Sequence, residues 1–225
     1  AVVALETQFR MNADIMALTN ALVYGGRLRC GSAQVASGCI KLHANGIGND
    51  SNDSHANIPL WLSRILAPSC CVIFCDTDAL AARELRVDGL VKNTAEAVLA
   101  ARIVDALYRA GVADVGVLTP YRQQVRELRR ACRPDIEVMT ADQAQGRDWS
   151  VVVVSFVRSN ADHMGGELLR DVRRLNVLLT RAKHKLVMLG SASTWSGAAP
   201  GEAPMQRLLG VLSARHALMA VSYTH

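Results

Sequence analysis

No GxxxxGK[ST] segment occurs anywhere in the 225 residues. A loop of that pattern cradles a triphosphate on backbone N–H groups while its lysine reaches the outer phosphates, so its absence excludes a self-sufficient triphosphate site of that kind. No apolar stretch approaches the ~20 residues that a membrane span requires, and no membrane partner is expected. The six histidines include no pair at zinc-ligand spacing, and no metal site is expected. Cys30, Cys39, Cys70, Cys71, Cys75 and Cys132 lie in apolar or ordinary contexts with no secretory leader before them, which points to a reducing compartment. The spacing of Cys71 and Cys75 would suit a ligand pair, but it falls within an apolar run where cysteine serves as a small core residue.

What is present suits one well-buried domain over residues 1–225, with 50% of residues hydrophobic. The net charge of +5 is compatible with a polyanionic partner, yet its clustering carries more than its total. Arg122, Arg126, Arg129, Arg130 and Arg133 form one cluster; Arg170, Arg173, Arg174, Arg181, Lys183 and Lys185 form another. The chain starts mid-pattern at Ala1, as a piece of a longer protein would.

A helix is expected over Ala13–Val23. Residues 43–57, rich in Asn, Asp, Ser and Gly, read as a loop or insertion point that extends to about residue 68. Apolar runs predict strands at Cys70–Cys75, Val115–Leu118, Ile136–Met139, 151–157 and Lys185–Leu189, the fourth apolar enough for a central parallel strand. Helices alternate with them: 94–110, capped by Asn93 with Glu96 three residues on and Gly111 beyond; one opened by Thr119 and Pro120; 171–183; and Met205–His216. Such alternation predicts an α/β, doubly wound, mainly parallel sheet, with the site beyond the carboxyl ends of the strands. The final AVSYTH has no assigned role within the C-terminal helix and tail, 203–225.

Four segments carry the chemistry. In RRLNVLLTRAKHKLVMLG, Arg174, Val177, Leu178 and Arg181 recur at helical spacing, so the arginines emerge at one edge of an apolar face. QGRD, Gln145 to Asp148, stands between two strands, with Gly146 allowing close backbone approach. QFRM, Gln8 to Met11, sets an aromatic ring beside Arg10. TPYRQQ, Thr119 to Gln124, joins a strand end to a helix N-terminus, where free N–H groups favour phosphate. Each has a plainer reading: surface salt bridges for the arginines, core for Phe9, a turn or cap for Thr140, a simple helix start for Thr119 and Pro120. CVIFCDTD imitates a magnesium-holding strand, but without a phosphate loop upstream Asp76 reads as a turn residue.

In order and spacing these segments resemble the second RecA-like motor domain of superfamily one helicases. LETQFRMNADIMALTN, PYRQQ, QGRD, SFVRSN and RRLNVLLTRAKHKLVMLG together are most similar to the eukaryotic DNA replication ATP-dependent helicase/nuclease family. The resemblance implies that Arg181 and Arg10 act on the γ-phosphate of an ATP, held with Mg mainly by an absent first motor domain. Arginine suits that task because its planar fork follows charge spreading over phosphate oxygens. It also implies adenine and ribose contacts from Gln8, Phe9, Gly146 and Asp148. Phe9 stands where tyrosine is usual, and Asp148 where glutamate is usual. Thr119, Pro120, Tyr121, Arg122, Thr140 and Gln145 would lie along single-stranded DNA. For the parent protein it implies 5′ to 3′ movement, flap and resected DNA, a single-strand-binding protein as partner, and a nuclear location, with the mitochondrion as a second compartment. The nuclease domain with an iron–sulfur cluster that the family carries finds no matching residues here. The related RNA helicase of nonsense-mediated decay shares the three main motifs, and a non-catalytic nucleic-acid-binding RecA-like module is the reading from another class.

Overall fold

The structure, a computed structural model, describes residues 6–43, 58–197 and 203–222. Chain order begins with β1 (Thr7–Gln8), α1 (Ala13–Thr19), β2 (Arg29–Cys30), α2 (Ala33–Ala36), α3 (Leu60–Leu66), β3 (Val72–Asp76), β4 (Leu85–Val87) and β5 (Leu90–Lys92). It continues with α4 (Thr94–Arg109), β6 (Val115–Thr119), α5 (Arg122–Ala131), β7 (Glu137–Thr140), β8 (Trp149–Ser155), α6 (Val172–Leu179), β9 (Ala182–Gly190), α7 (Ala192–Ser196), α8 (Ala203–Ala214) and β10 (Leu218–Ala220). Six strands form one all-parallel sheet in the order β10-β3-β9-β8-β6-β7. That is the doubly wound α/β architecture expected from the alternation of strands and helices.

The strand pleat sends successive side chains to opposite faces, and each face has its own core. Phe74, Leu118, Val152, Val154, Leu186 and Met188 face one way, under α1, α6 and α8. Ile73, Val117, Val151, Val153, Val187 and Leu189 face the other, under α3, α4 and α5. Cys75, fully buried in the second core, has its thiol pushed far up by that burial.

Several boundaries differ from the sequence expectation for identifiable reasons. The first helix changes winding at Asn20 into a π-helical turn, Asn20–Tyr24, because the Asn20 amide pairs with both the N–H and the C=O of Leu28. Residues 44–57 of the expected loop or insertion lie outside the described residues, and its last part is not a loop. Leu60–Leu66 is helical, with Trp61, Ile65 and Leu66 buried. Pro120 does not open the following helix: Thr119 ends β6, and α5 starts at Arg122 with Tyr121 as its cap. The 171–183 helix stops at Leu179, so Arg181 sits in the turn before β9 and not on a helical face with Arg174. Part of the C-terminal tail adds an edge strand, β10, and the Val221 N–H donates to the Asp76 carbonyl at 2.9 Å.

A hairpin of β4 and β5 was not expected from sequence. Its turn residues Asp88 and Gly89 both have positive φ, 51° and 75°, the backbone for which an Asp-Gly pair is favoured. The α4 cap is as expected, with Asn93 Oδ1 accepting the Glu96 N–H at 3.0 Å and Gly111 at φ 89° beyond the end.

Candidate functional site

The QFRM segment is a turn built by its own glutamine. Gln8 Oε1 accepts the N–H groups of Arg10 at 2.9 Å and Met11 at 2.7 Å, and its Nε2 donates to the Met11 carbonyl at 2.8 Å. With its amide engaged in this way, Gln8 shapes the loop and still lines the pocket described below. Phe9 is thrown outward, 71% exposed, and is not the core residue of the plainer reading. Its ring lies on Gly31, where an added Cβ would stand 2.1 Å from a ring carbon, so only glycine gives the ring this seat.

Arg10 points the other way. Its Nε donates to Asp148 Oδ2 at 3.1 Å and its Nη1 to the Thr180 carbonyl at 3.3 Å. Asp148 also takes Lys183 Nζ on Oδ1 at 2.6 Å. The Lys183 hydrogen bond first, and Arg10 after it, hold the Asp148 carboxyl below the usual carboxylate range. Arg181 donates to the carbonyls of Val177 and Arg147, both at 3.2 Å, and to Thr180 Oγ1 at 2.9 Å. Thr180 Oγ1 in turn donates to the Asn176 carbonyl at 2.7 Å, so the fork is held on the end of α6. Burial, and then the neighbouring charge of Arg10, lower the Arg181 pKa, although a guanidinium stays charged at any ordinary pH.

Phe9, Arg10, Tyr24, Asp148, Thr180 and Arg181 line one open pocket of about 580 Å³. Asp148 is the one carboxylate among three cations there, Arg10, Lys183 and Arg181, and it is already shared by two of them. Two guanidiniums that raise each other's electrostatic energy, beside an outward aromatic ring, suit an anion with several oxygens and an attached flat group. Carboxylates that could ligate a metal do not converge at this pocket. No group of three or more His, Cys, Asp or Glu does so anywhere among the described residues.

The pocket lies at the amino ends of β8 and β9, next to Trp149 and Ala182, and not at the carboxyl ends as expected from the strand rule. Thr119, Pro120, Tyr121, Arg122 and Thr140 are the residues at the carboxyl ends of β6 and β7. Thr119 and Pro120 are buried, and Thr119 Oγ1 accepts the Tyr121 N–H at 3.3 Å. Thr140 directs its N–H and hydroxyl to Gln143 Oε1 at 3.1 and 3.2 Å, which is the turn role. Half-buried Tyr121, whose hydroxyl donates to the Gly165 carbonyl at 3.3 Å, and exposed Arg122 lie at this end. Gln145 and Gly146 sit exposed in the connection that crosses between the two ends. Gly146 is needed for its φ of 85°, since a Cβ there would meet nothing within 4 Å. Asp76 accepts the N–H of Asp78 at 3.1 Å and of Ala192 at 3.0 Å, as a turn residue does.

Sequence reasoning did not single out Lys183 as a site residue, although its place two residues after Arg181 marks it as a neighbour of the same turn. It also missed a buried polar network at the carboxyl end of β8. Gln124 Oε1 accepts the Asn93 N–H at 2.8 Å, and its Nε2 donates to the Asn93 carbonyl at 2.9 Å and to Ser155 Oγ at 3.0 Å. Glu96 Oε2 accepts Ser155 Oγ at 2.6 Å and the Val157 N–H at 2.9 Å. Burial raises the Glu96 pKa to about 7 against those two hydrogen bonds. The clamp holds Val157 at φ 73°, a strained conformation for a β-branched residue. Next to it Arg158, buried, donates from Nε to Glu84 Oε2 at 2.7 Å.

The parallel sheet with this cationic pocket at the amino ends of its central strands agrees with the sequence comparisons: the AAA domain family profile matches residues 1–193, and the chain belongs to that family. It is 43% identical over 203 residues to the DNA replication ATP-dependent helicase/nuclease DNA2 of Xenopus tropicalis, covering 87% of this chain and 19% of that protein. The Homo sapiens protein of the same name is 44% identical over 198 residues, covering 84% and 19%, and that of Saccharomyces cerevisiae 37% over 200 residues, covering 86% and 13%. These matches bear out the resemblance drawn from the motifs, and the chain spans about a fifth or less of the length of these relatives.

Proposed function

We propose that residues 1–225 are the second RecA-like motor domain of an ATP-dependent DNA helicase that moves 5′ to 3′ on single-stranded DNA. The observation that carries this reading is the meeting of Arg10 and Arg181, from opposite ends of the chain, on one pocket with excess positive charge. The donor set is guanidinium-rich, which fits phosphate oxygens. In this reading Mg is held by the first RecA-like domain of the same parent chain, where it would offset charge on the outer phosphates. Arg10 and Arg181 close on the γ-phosphate when the two domains meet, and release it when they part. Phe9 offers a face to the adenine. Asp148 holds Arg10 in place through their ion pair, and Gly146 lets the QGRD backbone turn between the two ends of the sheet.

On the other side, Tyr121 and Arg122 meet the single strand through an aromatic surface and a charged one, which suits sequence-blind binding. Thr119, Pro120, Thr140 and Gln145 shape that track more than they touch it. The parent would act in the nucleus, and in the mitochondrion as a second compartment. There it would work on flap and resected DNA, with a single-strand-binding protein as partner. An iron–sulfur cluster would belong to a nuclease domain elsewhere in the parent, since the cysteines described here form no ligand set. DNA is favoured over RNA because the relatives compared are named for DNA replication.

The test is ATP hydrolysis by the parent protein with single-stranded DNA or RNA of matched sequence. Stimulation by DNA is expected. Stimulation by RNA alone would move the domain to the RNA helicase reading, and no hydrolysis with either would leave a binding module.

A further inference from the structure

The arginine cluster of α5 is not used by the pocket. The helix begins at Arg122, at the carboxyl end of the sheet beside Tyr121, and runs back along the outside of the domain towards the other end. Its inward side is Gln124, Val125, Glu127 and Leu128, all buried. Arg122, Arg126 and Arg130 follow at intervals of four, which sets them along one exposed face with a rise of about 6 Å per step.

The five arginines of the cluster divide by what they touch. Arg129 donates from Nη2 to the Val138 carbonyl on β7 at 3.0 Å, and Arg133 lies 3.8 Å over the Tyr108 ring; these two fasten the helix to its neighbours. Arg130 has Glu127 at 3.1 Å, but the same carboxylate oxygen takes Lys92 Nζ at 3.1 Å, so one buried acid serves two cations. Arg126 has a neutral partner, the Gln123 amide, at 3.2 Å. Among the described residues, the outer face of α5 therefore carries more positive charge than the one acid beside it offsets, in a line that continues from Arg122.

We propose that Arg126 and Arg130 extend the single-strand track beyond Tyr121 and Arg122, binding the phosphates of the strand as it leaves the motor along α5. The inference rests on the reading of the domain as a single-strand motor and adds a path to it. Three guanidiniums in a row, with no aromatic or apolar side chain between them on that face, select the backbone of a polyanion and not its bases. Each phosphate contact on a single strand adds about 0.7 to the salt dependence of binding, so two contacts add about 1.4.

The test uses the parent protein and two single-stranded oligonucleotides, one just long enough to stimulate ATP hydrolysis and one longer by several nucleotides at either end. Binding is titrated against salt for the wild type, for Arg126→Ala/Arg130→Ala and for Arg126→Lys/Arg130→Lys. The alanine pair should lower the log–log salt slope on the long strand by about 1.4 and leave it unchanged on the short one. The lysine pair, which keeps the charge, should retain most of the slope. ATP turnover at saturating strand should be equal in all three. An unchanged slope on the long strand in the alanine pair would overturn the path while strand-stimulated hydrolysis kept the motor reading intact. So would a loss confined to duplex DNA. Absence of strand-stimulated hydrolysis in the wild type would instead overturn the motor reading.

Discussion

Two clusters of polar side chains, one at each end of the sheet, treat charge in opposite ways. At the carboxyl end, Asn93, Glu96, Gln124 and Ser155 are fully buried, and their polar atoms are spent on one another and on the backbone. At the amino end, Arg10 and Asp148 are about one-third exposed, and the cations outnumber the acid that they share. The first arrangement stabilises the fold, because a buried polar group costs little only when it is paired. The second leaves charge for something outside the domain to satisfy. The distinction separates polar side chains that are satisfied within the fold from polar side chains that keep charge at the surface.

Breaking the buried network should give the largest change in stability. Gln124→Ala removes the partner of both the N–H and the carbonyl of Asn93, and a lowering of stability by about 3 kcal/mol is expected in denaturant titrations. A variant as stable as the wild type would mean that the network is dispensable. Glu96→Gln tests the same region through pH. The folded carboxyl titrates near 7 and the unfolded one near 4.5, so the folded state keeps the proton between those values. Its contribution is complete below about 4.5 and is lost as pH rises through 7. The wild type should therefore lose stability relative to Glu96→Gln between pH 5 and pH 8, and parallel pH profiles would contradict the assignment. At the opposite end, Asp148→Ala should change stability by less than about 1 kcal/mol, as expected of a partly exposed ion pair. Its thermal midpoint should accordingly stay close to that of the wild type while turnover falls, because Arg10 loses its anchor.

Much of this contrast was legible in the sequence, but unevenly. The alternation of strand and helix fixed the architecture because covered parallel strands such as VVVVSFV read as continuous apolar runs. Arg10 and Arg181 were legible through their motifs. Their meeting was not, since it depends on α6 stopping at Leu179 and on Gln8 folding its own loop. The destination of a long side chain is equally hidden. Glu96 was recognised as part of a helix start, and nothing local to it says that its carboxylate reaches Ser155 and Val157. The β4–β5 hairpin is marked in the sequence only by its Asp-Gly turn, because its two strands are three residues each. The strand made by residues 218–220 carries a short apolar pattern that gains meaning only beside β3.

The most direct measurement is steady-state ATP hydrolysis by the parent protein carrying Arg181→Ala, at saturating single-stranded DNA, with strand binding followed in parallel. Turnover is predicted to fall by about 10³-fold or more, as for other arginines that stabilise phosphoryl transfer, with strand affinity nearly unchanged. Hydrolysis at the wild-type rate would contradict the account of the amino-end pocket as the half-site that completes an ATP site.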